Sequence, residues 1–237
     1  MIDTNEMSYH IVGRHNLMQD VIPLRNQTFA AWQEVWEAVY HKSDSNYLLK
    51  SEEFERQDLV TCIKIRDKIA AIHLYSFHHL DSRSCRKTHY FDFFSDSYFE
   101  TLERHRVKTA MSMEFLTVLP EFRKATVGFS LASTLIRLGA KVWEQADADA
   151  IIAPARNDVR VNELAYDIGF RCLEKETRQR GFTCDLIALF RGDHKPSADP
   201  LVNEAATTLW ERKNLHPSAF SYLPKTAHTK PQSKKAA

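Results

Sequence analysis

A chain of 237 residues, 43% hydrophobic and 27% charged, can bury one substantial core, so a single domain with extensions is the simplest expectation. Its 32 basic and 31 acidic residues leave a formal net charge of +1. That balance argues against a global pull towards nucleic acid or an anionic membrane, and any anion site has to be local. Cys62, Cys85, Cys172 and Cys184 form no C-x-x-C pair and read as small core hydrophobes of a reducing compartment. No stretch approaches the ~18 apolar residues of a membrane span, and the first residues lack a signal-peptide pattern, so a cytoplasmic protein without a membrane span is expected.

Taken in order, Ser8 to Arg14 alternates weakly and suits a first strand. Pro23 then opens a helix whose face carries Phe29, Trp32, Trp36, Val39 and Tyr40, a stripe that packs into a core or walls a cleft. Residues 43–58 are polar and read as a loop with a helical turn. Leu59 to Ile65 and Ile69 to Phe77 pair around the polar link Arg66–Lys68 as a hairpin. His73, His78, His79 and His89 have no carboxylate or thiol at ligand spacing, so half-buried histidines are expected rather than a metal site.

Residues 80–109 are longer than a hairpin needs and read as an insertion. Arg83, Arg86 and Lys87 lead into Tyr90, Phe91, Phe93 and Phe94. A helix follows, with Ser97 and Glu100 as a capping box and Phe99, Leu102 and Arg106 at helical spacing. The aromatics fit either a satellite core beneath the loop or a wall on an apolar substrate.

Residues 111–119 are β-formers closed by Pro120, a residue that cannot donate to a ladder. Past the basic turn at Arg123 and Lys124, Val127, Leu131, Leu135, Leu138 and Val142 predict a helix from near Val127 to about Gln145. A strand, a basic turn and a helix N-terminus together make an anion site, because first-turn amides have no partner inside the helix. Residues 149–154 suggest a second buried strand, and Arg160 to Tyr166 a short helix stopping at Gly169-Phe170.

These elements resemble the GNAT acyltransferase superfamily, whose donor signature is a strand, Q/R-x-x-G-x-G/A opening a helix, a strand, and a short helix ending in Gly-Phe. Arg123-Lys124-Ala125-Thr126-Val127-Gly128 matches its first and last positions, with Thr126 replacing the middle Gly. The resemblance implies an α/β (α+β) fold with a mixed, mostly antiparallel central sheet flanked by helices. It also implies a CoA-like pyrophosphate on the amides from Lys124 through Phe129 to Ser130, and a pantetheine arm beside Phe115, Leu116, Thr117 and Val118. The donor would be acetyl-CoA, a longer acyl-CoA or an acyl carrier protein thioester. The acceptor would be a small-molecule amine, and no metal is required. The stretch 90–170 further resembles the N-acyl amino acid synthase branch, related to acyl-homoserine-lactone synthases.

Acyl transfer to an amine needs a base, donors at the developing oxyanion and a proton for the leaving thiolate. By the resemblance Glu114 is the candidate base. Regular alternation would place it on the face of Leu116 and Val118, among apolar side chains that raise its pKa, and a salt bridge to a basic insertion residue is the alternative. Backbone amides near Leu116 to Val118 would bind the thioester carbonyl. The family's acid, a Tyr four residues before Gly-Phe, falls on Ala165, with Tyr166 one step out of register. Asn157 would bond the pantetheine amides or form a turn. A non-catalytic module binding a CoA-type ligand or a protein is the rival class, and nucleic acid is disfavoured by the neutral charge.

Arg171–Arg180 and Thr183–Phe190 read as a last hairpin, and Asp199–Lys213 as a helix with Leu201, Ala205, Leu209 and Trp210 on one side. The expected organisation is an acyltransferase domain over 1–195, a C-terminal helix over 196–215 and a disordered basic tail over 216–237.

Overall fold

A computed structural model describes residues 2–43 and 48–223. Strand β1 (Met7–Gly13) leads to helix α1 (Ile22–Ser43), the single turn α2 (Glu52–Glu55) and the hairpin β2 (Leu59–Ile65) and β3 (Lys68–His79). The insertion supplies the turn α3 (Arg83–Arg86) and helix α4 (Asp96–Arg104) before strand β4 (Thr109–Val118). Then come the turn α5 (Lys124–Val127), helix α6 (Leu131–Gln145), strand β5 (Ala150–Arg156) and helix α7 (Val161–Asp167). Strands β6 (Arg171–Gln179) and β7 (Phe182–Phe190), helix α8 (Pro200–Glu211), the short strand β8 (Asn214–Leu215) and a 3-10 turn (Pro217–Ala219) follow. One sheet in the order β6-β7-β5-β4-β3-β2-β1-β8 joins all eight strands. It is antiparallel except at β4–β5 and β1–β8, the mostly antiparallel mixed sheet that the sequence resemblance implies.

The sheet splits at its centre. Strands β4 and β5 pair only through Ala110↔Ala150, Met111↔Ile151 and Ser112↔Ile152. Beyond that, β4 stays with β3 as far as Val118↔Ala71 while β5 stays with β7 as far as Arg156↔Cys184. A bulge accompanies the split: the β3–β4 register steps from Leu74↔Glu114 to Ile72↔Thr117, and Phe115 adopts φ +54°. A non-glycine residue in that region costs ~1–3 kcal/mol and persists where its surroundings over-determine it. Here Trp32 and Trp36 meet the Phe115 ring edge-on at 5.4 and 5.1 Å. The Thr117 hydroxyl donates to the Phe115 carbonyl at 2.7 Å and accepts from the Trp36 indole N–H at 2.8 Å.

On one face of the sheet α6 buries Leu131, Leu135, Leu138 and Val142 against Met111 and Met113. A second cluster packs Trp32 and Tyr40 of α1 against Val60, Ile72, Leu74 and Phe115. The insertion builds a third, in which Tyr90, Phe91, Phe94, Tyr98 and Phe99 cover Leu186, Ala188 and Phe190. Its aromatics are therefore mostly a satellite core. Helix α4 begins two residues earlier than its sequence suggests, because the Ser95 hydroxyl, not Ser97, accepts the Tyr98 amide. Arg106 lies past its end at φ +58°.

Two further expectations are corrected. The helix predicted from Val127 is interrupted: Gly128, at φ +98°, ends α5, and α6 starts afresh at Leu131 behind the cap Ser130. The tail expected to be disordered from His216 is packed as far as Leu223. Strand β8, just ahead of that tail, pairs with β1, and within the tail the His216 amide donates to the Ile11 carbonyl at 3.1 Å while Ser218, Ala219 and Leu223 are buried. The Gly13 amide donates to Ser218 Oγ at 3.0 Å. The remainder of that tail, residues 224–237, lies outside the described residues.

Candidate active site

The opening between β4 and β5 holds a cavity of about 240 Å³. Phe115, Leu116, Thr117 and Val118 of β4 line one wall, Ala153 to Arg156 of β5 the other, and Trp36 and Val39 of α1 close one side. Phe170 and Ile187 add apolar surface. Four of the expected donor-site residues thus share a cleft, and Glu114 stands beside them. Arg123 to Ser130, Asn157 and Tyr166 do not line it.

The polar corner of the cavity is built around Glu114, which is 8% exposed. Arg56, at the end of α2, donates Nη1–H to Glu114 Oε1 at 3.1 Å and Nη2–H to Oε2. The same guanidinium grips Glu53 through Nε and Nη2 at 3.1 and 3.0 Å. Glu53 also receives Arg180 Nη2 at 2.7 Å and lies 3.2 Å from His89 Nε2. The Ser112 hydroxyl donates to Glu114 Oε1 at 2.8 Å and meets His78 Nε2 at 3.0 Å. Burial alone would raise the Glu114 carboxyl, but the charge and hydrogen bonds of Arg56, with the contributions of His78 and Ser112, outweigh it and hold the group below its usual range.

The raised pKa expected for Glu114 is therefore overturned, and so is its placement. The Phe115 bulge breaks the alternation, so Leu116 and Val118 pack towards the α6 side while Glu114 turns to Arg56. The salt bridge comes from α2, not from a basic residue of the insertion. His73 also lines the cavity, and burial takes its imidazole from 6.5 to about 3, so it is neutral.

Tyr166 and Asn157 converge elsewhere, on Asp185 of β7. Asp185 accepts the Tyr166 hydroxyl at 2.5 Å, Asn157 Nδ2–H and Asn162 Nδ2–H at 3.0 Å each, and the Glu176 amide at 3.1 Å. Burial opposes ionisation of Asp185, yet these donors, the Tyr166 hydroxyl foremost, bring its carboxyl down to about 2. Burial, and after it the Asp185 hydrogen bond, pushes the Tyr166 phenol well above its ordinary value. Tyr166 is an anchor for Asp185, and a proton held this firmly is poorly placed to reach a thiolate. Asn157 Oδ1 is buried without a partner.

The basic turn is partly closed on itself. The amides of Thr126 and Val127 donate to the Arg123 carbonyl at 2.8 and 3.2 Å, and that of Gly128 to the Lys124 carbonyl at 2.8 Å. Ser130 Oγ accepts the Ser133 amide at 3.1 Å. The amides of Leu131 and Ala132 remain at the open end of a 15-residue helix. The cup expected over Lys124–Ser130 thus has three amides engaged within α5, and the helix dipole is centred one turn later. Among the described residues there is no cluster of three metal-ligating side chains, and no helix is long and apolar enough to cross a membrane.

Nothing in the sequence marks Arg56, Glu53, Arg180 or Asp185 as part of a site, whereas Tyr90 is among the insertion aromatics expected in a satellite core or a substrate wall. Glu53 and Arg56 lie in a charged stretch that reads as a solvated loop. The β4 partner of Arg56, Glu114, stands 58 residues away, a separation without a periodic signal.

The bulged, split sheet with a helix opening behind its central strand is the fold of the GNAT acyltransferases. No protein-family model and no curated protein matches the chain, but solved structures do. FeeM, an N-acyl amino acid synthase from uncultured soil microbes, aligns with a TM-score of 0.52 at 10% identity over 78% of this chain and 89% of its own. The AHL synthase LasI aligns with a TM-score of 0.51 at 10% identity, over 81% of this chain and 98% of its own. BjaI, a CoA-dependent acyl-homoserine lactone synthase solved with SAM and isopentyl-CoA, gives 0.52 at 9% identity over 89% and 93%. The resemblance drawn from the sequence is upheld at the level of fold.

Proposed function

We propose that the protein is an N-acyltransferase. It moves an acyl group from a CoA or acyl carrier protein thioester onto the amino group of a small acceptor, with an amino acid as the favoured acceptor class. One observation carries this reading: an apolar cavity between the splayed strands that ends in the buried ionic corner of Glu114, Arg56, Glu53 and Arg180. The apolar walls suit an acyl chain. A corner of alternating carboxylates and guanidiniums suits a molecule bearing both an amine and an acid. The activities named for FeeM and BjaI support the same class.

In this reading the pantetheine arm lies along β4 at Phe115–Val118, where β5 has left the ladder. Amides near Leu116 to Val118 hold the thioester carbonyl as negative charge develops on it. The phosphates sit at Lys124–Ser130 and the adjoining amides of Leu131 and Ala132, after the turn α5 opens, with Arg123 and Lys124 as counter-charges. Asn157 offers its unpartnered Oδ1 to a pantetheine N–H. Glu114 orients the amine and takes the proton that becomes acidic as the C–N bond forms and the C–S bond breaks, and a carboxyl held below its usual range then passes it to solvent. Solvent protonates the thiolate.

The test is free-thiol release from acetyl-, octanoyl- and dodecanoyl-CoA, each with a panel of amino acids and simple amines. Turnover dependent on both partners is expected, with a longer chain favoured over acetyl. Binding of acyl-CoA without thiol release would favour the rival, a non-catalytic ligand-binding module. Thr126 in place of Gly and the closed turn at α5 speak for that rival.

A further inference from the structure

Tyr90 is the one residue of the 80–109 insertion that lines the cavity, among the described residues. It is 3% exposed. Its ring stacks on His78 at 5.0 Å and meets Phe91 edge-on at 4.9 Å, contacts that a phenylalanine would make equally well. Its hydroxyl has no hydrogen-bond partner, whereas a buried phenol ordinarily finds one. The neighbouring polar groups are already engaged. Ser112 Oγ serves Glu114 and His78, and Arg56, whose guanidinium lies 6.0 Å from the Tyr90 ring centroid, serves Glu53 and Glu114. Ser112 is also the polar side chain beside the Tyr90 hydroxyl, so the corner holds an oxygen that packing does not need and whose polar neighbour is committed to Glu114 and His78.

We infer that the Tyr90 hydroxyl is a binding group for the acceptor amine. A primary amine in this corner donates one N–H to Glu114 and the other to Tyr90 Oη, leaving the nitrogen lone pair directed at the thioester carbon. A secondary amine has one N–H and cannot serve both oxygens, so the site selects primary amines. Burial holds the phenol well above its ordinary pKa, and Tyr90 therefore acts as a neutral acceptor of the N–H. This inference rests on the acyl-transfer reading and assigns to the insertion a share in acceptor choice.

The test is Tyr90→Phe, which keeps the ring and removes the oxygen. Without ligand, the melting temperature of the variant is expected to rise, since an unsatisfied buried hydroxyl has been removed. A fall would mean that the protein satisfies this oxygen, and would overturn the inference. With octanoyl-CoA as donor, the KM for benzylamine should rise about tenfold, equivalent to the loss of one hydrogen bond of ~1.4 kcal/mol. The KM values for N-methylbenzylamine and for the donor should stay unchanged, so the preference for the primary amine collapses. A preference that survives Tyr90→Phe overturns the inference while leaving acyl transfer intact. Absence of thiol release from the wild type would instead sink the acyl-transfer reading. In that case the stabilisation of each protein by benzylamine, read as a melting shift at alkaline pH, still decides for or against the hydroxyl.

Discussion

Arg56 is the residue on which the site's electrostatics turn. Its side chain is 21% exposed and pairs with two carboxylates, Glu53 at 11% and Glu114 at 6%. Removing one partner of a buried pair leaves the other charge uncompensated, at a cost of ~3–5 kcal/mol. Arg56→Met is therefore expected to destabilise the protein by about 3 kcal/mol near neutral pH, measured by denaturant unfolding. The loss should depend on pH in a definite direction. Glu114 is held below its ordinary 4.5 in the folded protein, so its contribution is fully present above that value and fades as the pH falls through the folded one. In the variant the orphaned Glu114 carboxylate escapes by taking a proton, while Glu53 keeps Arg180. The difference between the two proteins should thus shrink below pH 4.5, and a difference independent of pH would contradict the pairing.

At the scale of elements, periodicity is a good guide where local pattern and tertiary packing agree. The β2–β3 hairpin, the aromatic helix α1, the last hairpin and α8 lie where alternation and helical spacing put them. Legibility ends where a distant contact overrides the local pattern. Nothing in Met113-Glu114-Phe115 announces a bulge, because Trp32 and Trp36, some eighty residues earlier, hold Phe115 at positive φ; Trp36 reaches Thr117 across a separation of 81. Thr126-Val127-Gly128 reads as a helix start, but a left-handed Gly128 makes it an end. The candidate site divides in the same way: its strand residues were legible, whereas the Arg56–Glu114 pair and the Asp185 anchor were not.

The packed C-terminal segment shows the same limit, since proline and polar residues after His216 hide Ala219 and Leu223. A Cβ on Gly13 would come within 1.9 Å of the Ser218 carbonyl oxygen. Gly13→Ala should therefore undock residues 214–223 from β1, lower the melting temperature and open that segment to proteolysis. A variant as resistant as the wild type would show that the docking is not so close.

On the scale of the whole molecule, one sheet serves as two half-sheets. Strands β8, β1, β2, β3 and β4 form one, and β5, β7 and β6 the other. Helix α6 spans both, burying Met111 and Met113 of β4 together with Ile151 of β5, and Ile187 and Leu189 of β7, in the same core. Amide exchange should distinguish the halves from their junction. Protection is expected to be high along β2–β3 and β5–β7 and lower at Met113–Val118, rising there when acyl-CoA is added. Slow exchange at Met113–Val118 before any ligand is added would contradict this arrangement.

Three paired positions between β4 and β5 make that junction a seam, and a seam needs a stitch. An extended pantetheine with its two amides is chemically a short peptide, and lying along the free length of β4 it would serve as the absent strand. The carrier would then act as a temporary part of the fold as well as a reagent. Loss of the acyl group would leave the empty carrier still bridging the two halves, so its departure, and not the chemistry, would be the slow event that sets the turnover rate.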